Sequence, residues 1–414
     1  LKVYEGPLDL LYDMISKQKI DIKDISIIDI TLEDLNNITP NNLEKYIIFL
    51  IYSKVLNLTI QGCIMIDLNK TGLKVAVHNG VMHADDVFSV AAIAIVNPYV
   101  NIIRTRDKAL LDICDLRVDV GNKYDPETGD FDHHQEGFNE RNPAPSSKYS
   151  QGPKLCGFGL IWRHYSHKVI LAVLKKKQLI LNDDEISERT LDTIAEAIRK
   201  SLVAIIDAGD NGELRAFYLD TGAYRMPSIM SFIQMHNPDS KSAIDEAYCQ
   251  KYFYKAVKTA KGFLTMLILK EYNIFLSIKH LDTLIDTNTI QNGQILVLPY
   301  FIPWSRYFTE NAEKCKNIYF IVFPSNENWM AQSTYYNSRI DAGKFSETMK
   351  DGSRRTLRCP YPEHIAGKRD EELATLTHIP DATFVHTSGF LGAATSKEGA
   401  IKLAEYALAH MEEN

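Results

Sequence analysis

Leu73-Lys74-Val75-Ala76-Val77-His78-Asn79-Gly80-Val81-Met82-His83-Ala84-Asp85-Asp86 is the stretch that decides the fold. Its first half alternates toward a buried strand that ends at His78. Its second half leads into Val87 to Val96, rich in Ala, Val and Ile, which reads as a helix. Val100 to Arg104 and Leu116 to Val120 read as further short strands. Strand, helix, strand and strand in this order predict an α/β layer with a mostly parallel sheet. Helices are expected next, at about 155–180, 187–206, 226–235 and 242–272. From about residue 285 strands return: Ile295 to Leu298, Ile318 to Phe323, Trp329 to Gln332 and Ala382 to His386. Thr395 and Glu398 have the spacing of a capping box for a last helix, about 396–411. Upstream, Pro7, Leu8, Leu11 and Ile15 fit a short amphipathic helix, and Leu43 to Leu58 an apolar one. The expected organisation is therefore a short all-helical module (1–70), an α/β parallel-sheet domain (71–285) and a smaller α/β domain (286–414).

Ligand-type side chains cluster where these strands end. His78, His83 and Asp85 follow the first strand, and Asp119 ends the segment Val118-Asp119-Val120-Gly121. Asp132, His133 and His134 follow Phe131, and Asp207 and Asp210 close the apolar run Ile205-Ile206. The C-terminal edge of a parallel sheet is where such loops converge over a crevice. Mixed imidazole and carboxylate donors suit Mn²⁺, and also Zn²⁺, Fe²⁺ or Mg²⁺. The six cysteines are scattered and contain no Cys-x-x-Cys, which speaks against a structural zinc site or a disulfide framework. They read as reduced thiols of a cytoplasmic protein.

Composition excludes other classes. The net charge of -7 argues against a general nucleic-acid coat, which needs a basic face. It leaves room for an enzyme that grips a few phosphates where metal ions supply the positive charge. No apolar run reaches the ~18–20 residues that span a bilayer, so no membrane partner is expected. The opening residues show no signal or transit pattern.

Asp132-His133-His134-Gln135, with upstream His78-Asn79-Gly80, His83-x-Asp85 and Val118-Asp119-Val120-Gly121, resembles the DHH phosphoesterase superfamily. The match is closer to its MYG branch, described as metal-dependent 3′–5′ RNA exonucleases. It extends through Tyr124-Asp125-Pro126, Asp207-Ala208, Asp210-Asn211-Gly212, Ile379-Pro380 and His386-x-Ser388-Gly389-Phe390, about residues 72–412. The resemblance implies a two-metal phosphodiester hydrolase with two divalent ions, Mn²⁺ expected and Mg²⁺ the alternative. It implies His78, His83, Asp85, Asp119, His133 and Asp207 as metal ligands, with Asp119 bridging and Asp210 competing with Asp207. Asp132 then orients a histidine, and His134 meets the phosphate or the leaving group. The implied substrate is single-stranded RNA or a short oligonucleotide.

On the substrate side, Ser388-Gly389-Phe390-Leu391-Gly392 lies between a strand and the last helix. It reads either as a connecting turn or as backbone that admits an anion at a helix N-terminus. The resemblance implies that His386, Ser388 and Gly389 touch substrate. Arg354, Arg355, Arg358, Lys368 and Arg369 form a basic cluster that would meet phosphates or simply face water. Separately, Tyr4-Glu5-Gly6-Pro7-Leu8-Asp9-Leu10-Leu11 and Lys19-Ile20-Asp21-Ile22 resemble the start of segregation and condensation protein A, the bacterial kleisin. That resemblance implies a kleisin-like interaction protein, with an SMC protein as partner through residues 1–58, as the alternative function.

Overall fold

The computed structural model describes residues 65–145, 149–214, 228–239, 245–336, 347–348 and 354–411. The helical module expected over residues 1–70, and with it the kleisin-like segment, lies almost entirely outside the described residues. In chain order the first elements are β1 (Lys74–Val77), α1 (Ala84–Val96), β2 (Asn101–Arg104), α2 (Lys108–Asp112) and β3 (Leu116–Val118). Next come β4 (Tyr124–Asp125), β5 (Asp130–Phe131), α3 (Gly157–Lys176), α4 (Glu188–Ile198) and α5 (Ala204–Asp210). Then follow α6 (Ile229–Gln234), α7 (Glu246–Asn288), β6 (Thr289–Ile290), β7 (Ile295–Val297), α8 (Ser305–Glu310) and α9 (Ala312–Cys315). The last are β8 (Phe320–Ser325), β9 (Asn328–Ser333), β10 (Glu347–Thr348), β11 (Arg354–Arg355), α10 (Asp370–Thr377), β12 (Ala382–Val385), β13 (Leu391–Ala394) and α11 (Lys397–Ala409). The fold class is α/β, as expected. No helix among the described residues is long and apolar enough to cross a membrane.

The chain divides into two compact units. Among the described residues, the first holds 65–79 and Tyr99–Phe138. Its five-stranded sheet has the order β2-β1-β3-β5-β4. β1 runs parallel to β2 and β3, and β3 parallel to β5; only β4 is antiparallel. Val75, Ala76 and Val77 are fully buried, which is why this central strand is a continuous apolar run. Ala76 packs with Leu111, Cys114, Val120 and Ile103. Because β1, β3 and β5 are parallel neighbours, their C-terminal ends share one edge of the sheet.

The second unit holds Gly80–Pro98 and the described residues from Asn139 on. α1 is buried along almost its whole length, from Ala84 to Ile95, as expected of a helix apolar on all sides. Phe88 sets it against Phe158 of α3 at 5.4 Å and Phe263 of α7 at 6.1 Å between ring centroids. The single helix expected over 187–206 is broken by a π turn at Arg199–Val203. There Arg199 turns aside to Glu196 and to the Asn142 side chain. α7 runs sixteen residues beyond its expected end at 272, through the boundary expected near 285. No Gly or Pro interrupts this extension, and Leu281 and Ile285 bury it under the second sheet.

That sheet has the order β12-β13-β9-β8-β7-β6. The period of two along its strands sorts the side chains. Ile295, Val297, Phe320 and Val322 face Leu403, Ala404 and Ala407 of α11. Leu296, Leu298, Ile321 and Phe323 face Leu281, Tyr307 and Phe308. The last helix is capped by Ser396, whose Oγ accepts the Gly399 N–H at 2.9 Å, and not by Thr395. Asp381 holds Ser396 in place through its backbone N–H, and Thr395 N donates to the Asp381 carbonyl.

Candidate metal centre

Three strands of the first unit, β1, β3 and β5, lead into candidate ligands. His78 follows β1, Asp119 follows β3, and Asp132, His133 and His134 follow β5. Asp119 has φ 55°, in the left-handed region that Asp tolerates better than most residues. The backbone turns there, while Asp119 N still donates to the Phe131 carbonyl at 3.1 Å.

The Asp119 carboxylate is the centre of this group. One oxygen lies 3.3 Å from His78 Nε2, and the other 3.3 Å from His133 Nε2 and 3.6 Å from His134 Nδ1. Burial by itself would raise its pKa. The hydrogen bonding and charge of His133 and His78 outweigh that and hold the carboxyl below the usual carboxylate range. His78 Nδ1 lies 3.1 Å from the Asn79 carbonyl, which can only accept, so Nδ1 carries a proton and Nε2 is the nitrogen turned toward Asp119. Lone pair against carboxylate is repulsive unless a proton or a cation sits between them. Ligands bound at about 2.0–2.1 Å in a tetrahedral shell are about 3.4 Å apart. The 3.3 Å spacings and the donor types therefore fit a divalent ion. Arg106 braces this corner by donating to the Asn79 carbonyl and side-chain oxygen, and so does not pair with its neighbour Asp107. Asp107 instead caps α2.

Asp132 plays a different part. It is 1% exposed and accepts from the backbone N–H of Asn122, His133 and His134 at 2.6, 2.7 and 3.2 Å. It also accepts from His134 Nδ1 at 2.6 Å. Burial would raise its pKa, but the His134 and Asn122 hydrogen bonds prevail and lower it. His134 is left 57% exposed with its ring oriented from behind.

In the second unit, His83, Asp85 and Asp210 each place a ligand atom within 4.8 Å of the other two. His83 precedes α1, and its N–H donates to Asp86 Oδ1 at 3.0 Å. Asp210 closes α5. Asp207, one turn earlier, is committed elsewhere. It is fully buried, and its oxygens accept from Asn142 Nδ2 at 2.8 Å and from the Cys156 N–H and thiol at 2.9 Å each. The structure thus groups Asp210 with His83 and Asp85 and gives Asp207 to Asn142 and Cys156. Neither of those partners carries a sequence signal. They lie 65 and 51 residues away, and only packing brings them together.

The substrate-side residues are more dispersed. Ser388 to Gly392 does not lead into a helix: β13 intervenes, so the loop is a hairpin turn between β12 and β13. The helix-terminus reading of that loop is therefore corrected. Within the turn, His386 Nδ1 and Ser388 Oγ are 2.8 Å apart and both side chains are exposed. Gly389 has φ 67°, and its carbonyl accepts from Tyr361 N at 2.9 Å. Arg369 is exposed, with its guanidinium 5.3 Å from the Phe384 ring centroid. Arg358 leaves the expected basic cluster: it is 7% exposed and donates to the carbonyls of Ile318 and Lys316. Lys368 pairs with Glu372. His167 meets Asp192 at 2.9 Å.

Residues 74–408 match the sequence profile of the MYG1 exonuclease family, described as uncharacterised protein family UPF0160. The chain belongs to that family. A MYG1 protein of Schizosaccharomyces pombe is 31% identical over 349 residues, 81% of this chain and 97% of the relative. A human protein named MYG1 exonuclease is 26% identical over 357 residues, 81% of this chain and 86% of the relative. Among solved structures, RecJ from Thermus thermophilus in complex with Mg²⁺ aligns at 12% identity with a TM-score of 0.23. That alignment covers 84% of this chain and 51% of RecJ, and a likeness this low carries no argument about the site. The kleisin-like residues 1–58 lie ahead of the family match and outside the described residues.

Proposed function

We propose that the chain is a metal-dependent nuclease that hydrolyses phosphodiester bonds, acting from the 3′ end of single-stranded RNA or short oligonucleotides. Family membership and the exonuclease names of its relatives support nuclease chemistry. The observation that carries the reading is Asp119, with an imidazole nitrogen 3.3 Å from each carboxylate oxygen. Asp119, with His78 at one carboxylate oxygen and His133 at the other, would hold divalent metal, and His83, Asp85 and Asp210 would hold a further ion. Bound ions supply Lewis-acid charge to the phosphoryl group and make water nucleophilic at neutral pH. Mn²⁺ suits the mixed donors, with Mg²⁺ as the alternative.

The chain's own groups supply the rest. Asp132 fixes the His134 ring through Nδ1 and turns Nε2 outward. From there Nε2 can hand a proton to the departing oxygen, and the Asp132 carboxylate stabilises the imidazolium that carries it. His386 and Ser388 offer exposed polar atoms for the substrate, and Arg369 an exposed cation.

The test is hydrolysis of 5′-labelled single-stranded RNA with Mn²⁺, with EDTA and by His133→Ala. A ladder shortening from the 3′ end, lost with EDTA and in the variant, is the expected result. A folded, Mn²⁺-loaded protein that leaves RNA, DNA and small phosphodiesters intact would overturn the proposal.

A further inference from the structure

The segment Ile229–Asn237 touches two of the chain segments that carry the second ligand set, and does so through contacts unlike ordinary packing. Asn237 Oδ1 accepts the Met82 N–H at 2.9 Å, and Asn237 Nδ2 donates to the Met82 carbonyl at 3.0 Å. Met82 is fully buried and immediately precedes His83. A primary amide offers one acceptor and one donor, as a peptide group does, so this pair of bonds sets both the position and the orientation of the Met82 backbone. On its other side, Met230 of α6 lies against Gly209, the residue before Asp210, so closely that a Cβ there would overlap the Met230 sulfur.

The segment is itself fastened. Ser228 Oγ accepts the Ser231 N–H at 3.1 Å, Ile233 is fully buried, and His236 Nε2 lies 3.1 Å from Thr259 Oγ1 on α7. It thus has one end on the backbone before His83 and the other on the residue before Asp210.

We propose that Ile229–Asn237 is a clip that sets the second metal site, with the Asn237 side chain as the positioning residue for His83. The inference rests on the metal-binding reading above. Groups that orient metal ligands from behind typically contribute 10–100-fold in metal affinity. Asn237→Asp is nearly isosteric, yet it turns an oxygen onto the Met82 carbonyl in place of the donor. Removing the donor while keeping the shape separates positioning from filling.

The experiment is a Mn²⁺ titration of the whole chain, by calorimetry and by the electron paramagnetic resonance of free Mn²⁺, with thermal midpoints alongside. In Asn237→Asp one class of site weakens about 10–100-fold, the other is unchanged, and the midpoint stays close to wild type. If that variant does not fold, Asn237→Ser, which withdraws both bonds to Met82, is titrated in its place. Adding Asn237→Asp to His83→Ala should cost nothing further, because both act on one ligand set. Wild-type affinity at both sites in Asn237→Asp overturns the clip and leaves the nuclease reading standing, as does an equal loss at both sites. A wild-type protein that binds no Mn²⁺ overturns the reading on which the clip rests.

Discussion

His134 Nδ1 lies 2.6 Å from Asp132 Oδ1, and the two side chains sit in opposite surroundings: the carboxylate is buried and the imidazole is 57% exposed. An imidazole held from the inside and open on the outside can exchange protons with a substrate without losing its orientation. Asp132→Asn keeps the shape but removes the charge. We expect kcat on RNA to fall about 10²–10⁴-fold, the usual worth of a positioned acid, with little change in KM. A variant with wild-type kcat would remove Asp132 and His134 from the chemistry.

Asp119→Asn tests the centre of the first group. Asn tolerates the left-handed backbone at φ 55°, so the turn should survive. What is lost is the charge between His78 and His133. Mn²⁺ affinity should fall by at least about 100-fold, since a direct ligand matters more than its outer partners. Circular dichroism should be unchanged. Undiminished binding in a titration would refute the assignment.

Two glycines on helices predict opposite signs for one substitution. A Cβ at Gly159 of α3 would fall inside both oxygens of the buried Asp207 carboxylate. A Cβ at Gly262 of α7 meets nothing within 4 Å. Gly262→Ala should therefore stabilise by about 0.5–1 kcal/mol through helix propensity. Gly159→Ala should destabilise by about 1–3 kcal/mol, typical of overpacking. Urea denaturation measures both, and two changes of the same sign would be inconsistent with this packing of α3 against Asp207.

His164 gives stability a pH dependence. Burial first, and then the charge of Arg163, depress its pKa from 6.5 to about 4. Between those values the unfolded chain binds a proton that the folded chain does not. This contribution to stability therefore falls as pH drops from about 6.5 toward about 4, and is unaffected above that window. Partial exposure limits the effect to the order of 2 kcal/mol. Chemical denaturation at pH 7.5, 6 and 5 should show the decline, and His164→Gln should flatten it. An unchanged slope in the variant would discount His164.

The amino-acid sequence by itself determined the local pattern. Alternation in Leu73 to Val77 and the apolar run to Val96 are short-range signals, and each became the expected element, with the candidate ligands placed just after β1, β3 and β5. Parallel strands carry their C-terminal ends to one edge, so His78, Asp119 and His133 converge as a direct result of sheet geometry. Tertiary packing decided the rest. Asp207 and Asp210 are one helical turn apart, and nothing local tells which is the candidate ligand. Asn142 and Cys156, brought in from 65 and 51 residues away, claim Asp207 and leave Asp210 beside His83 and Asp85. Arg358 read as a surface cation until the carbonyls of Ile318 and Lys316 turned it inward. Asn237 carried no signal at all, because its partner Met82 lies 155 residues away. Periodicity is written within a few residues, whereas a hydrogen bond across the chain exists only once both of its ends have been packed into place.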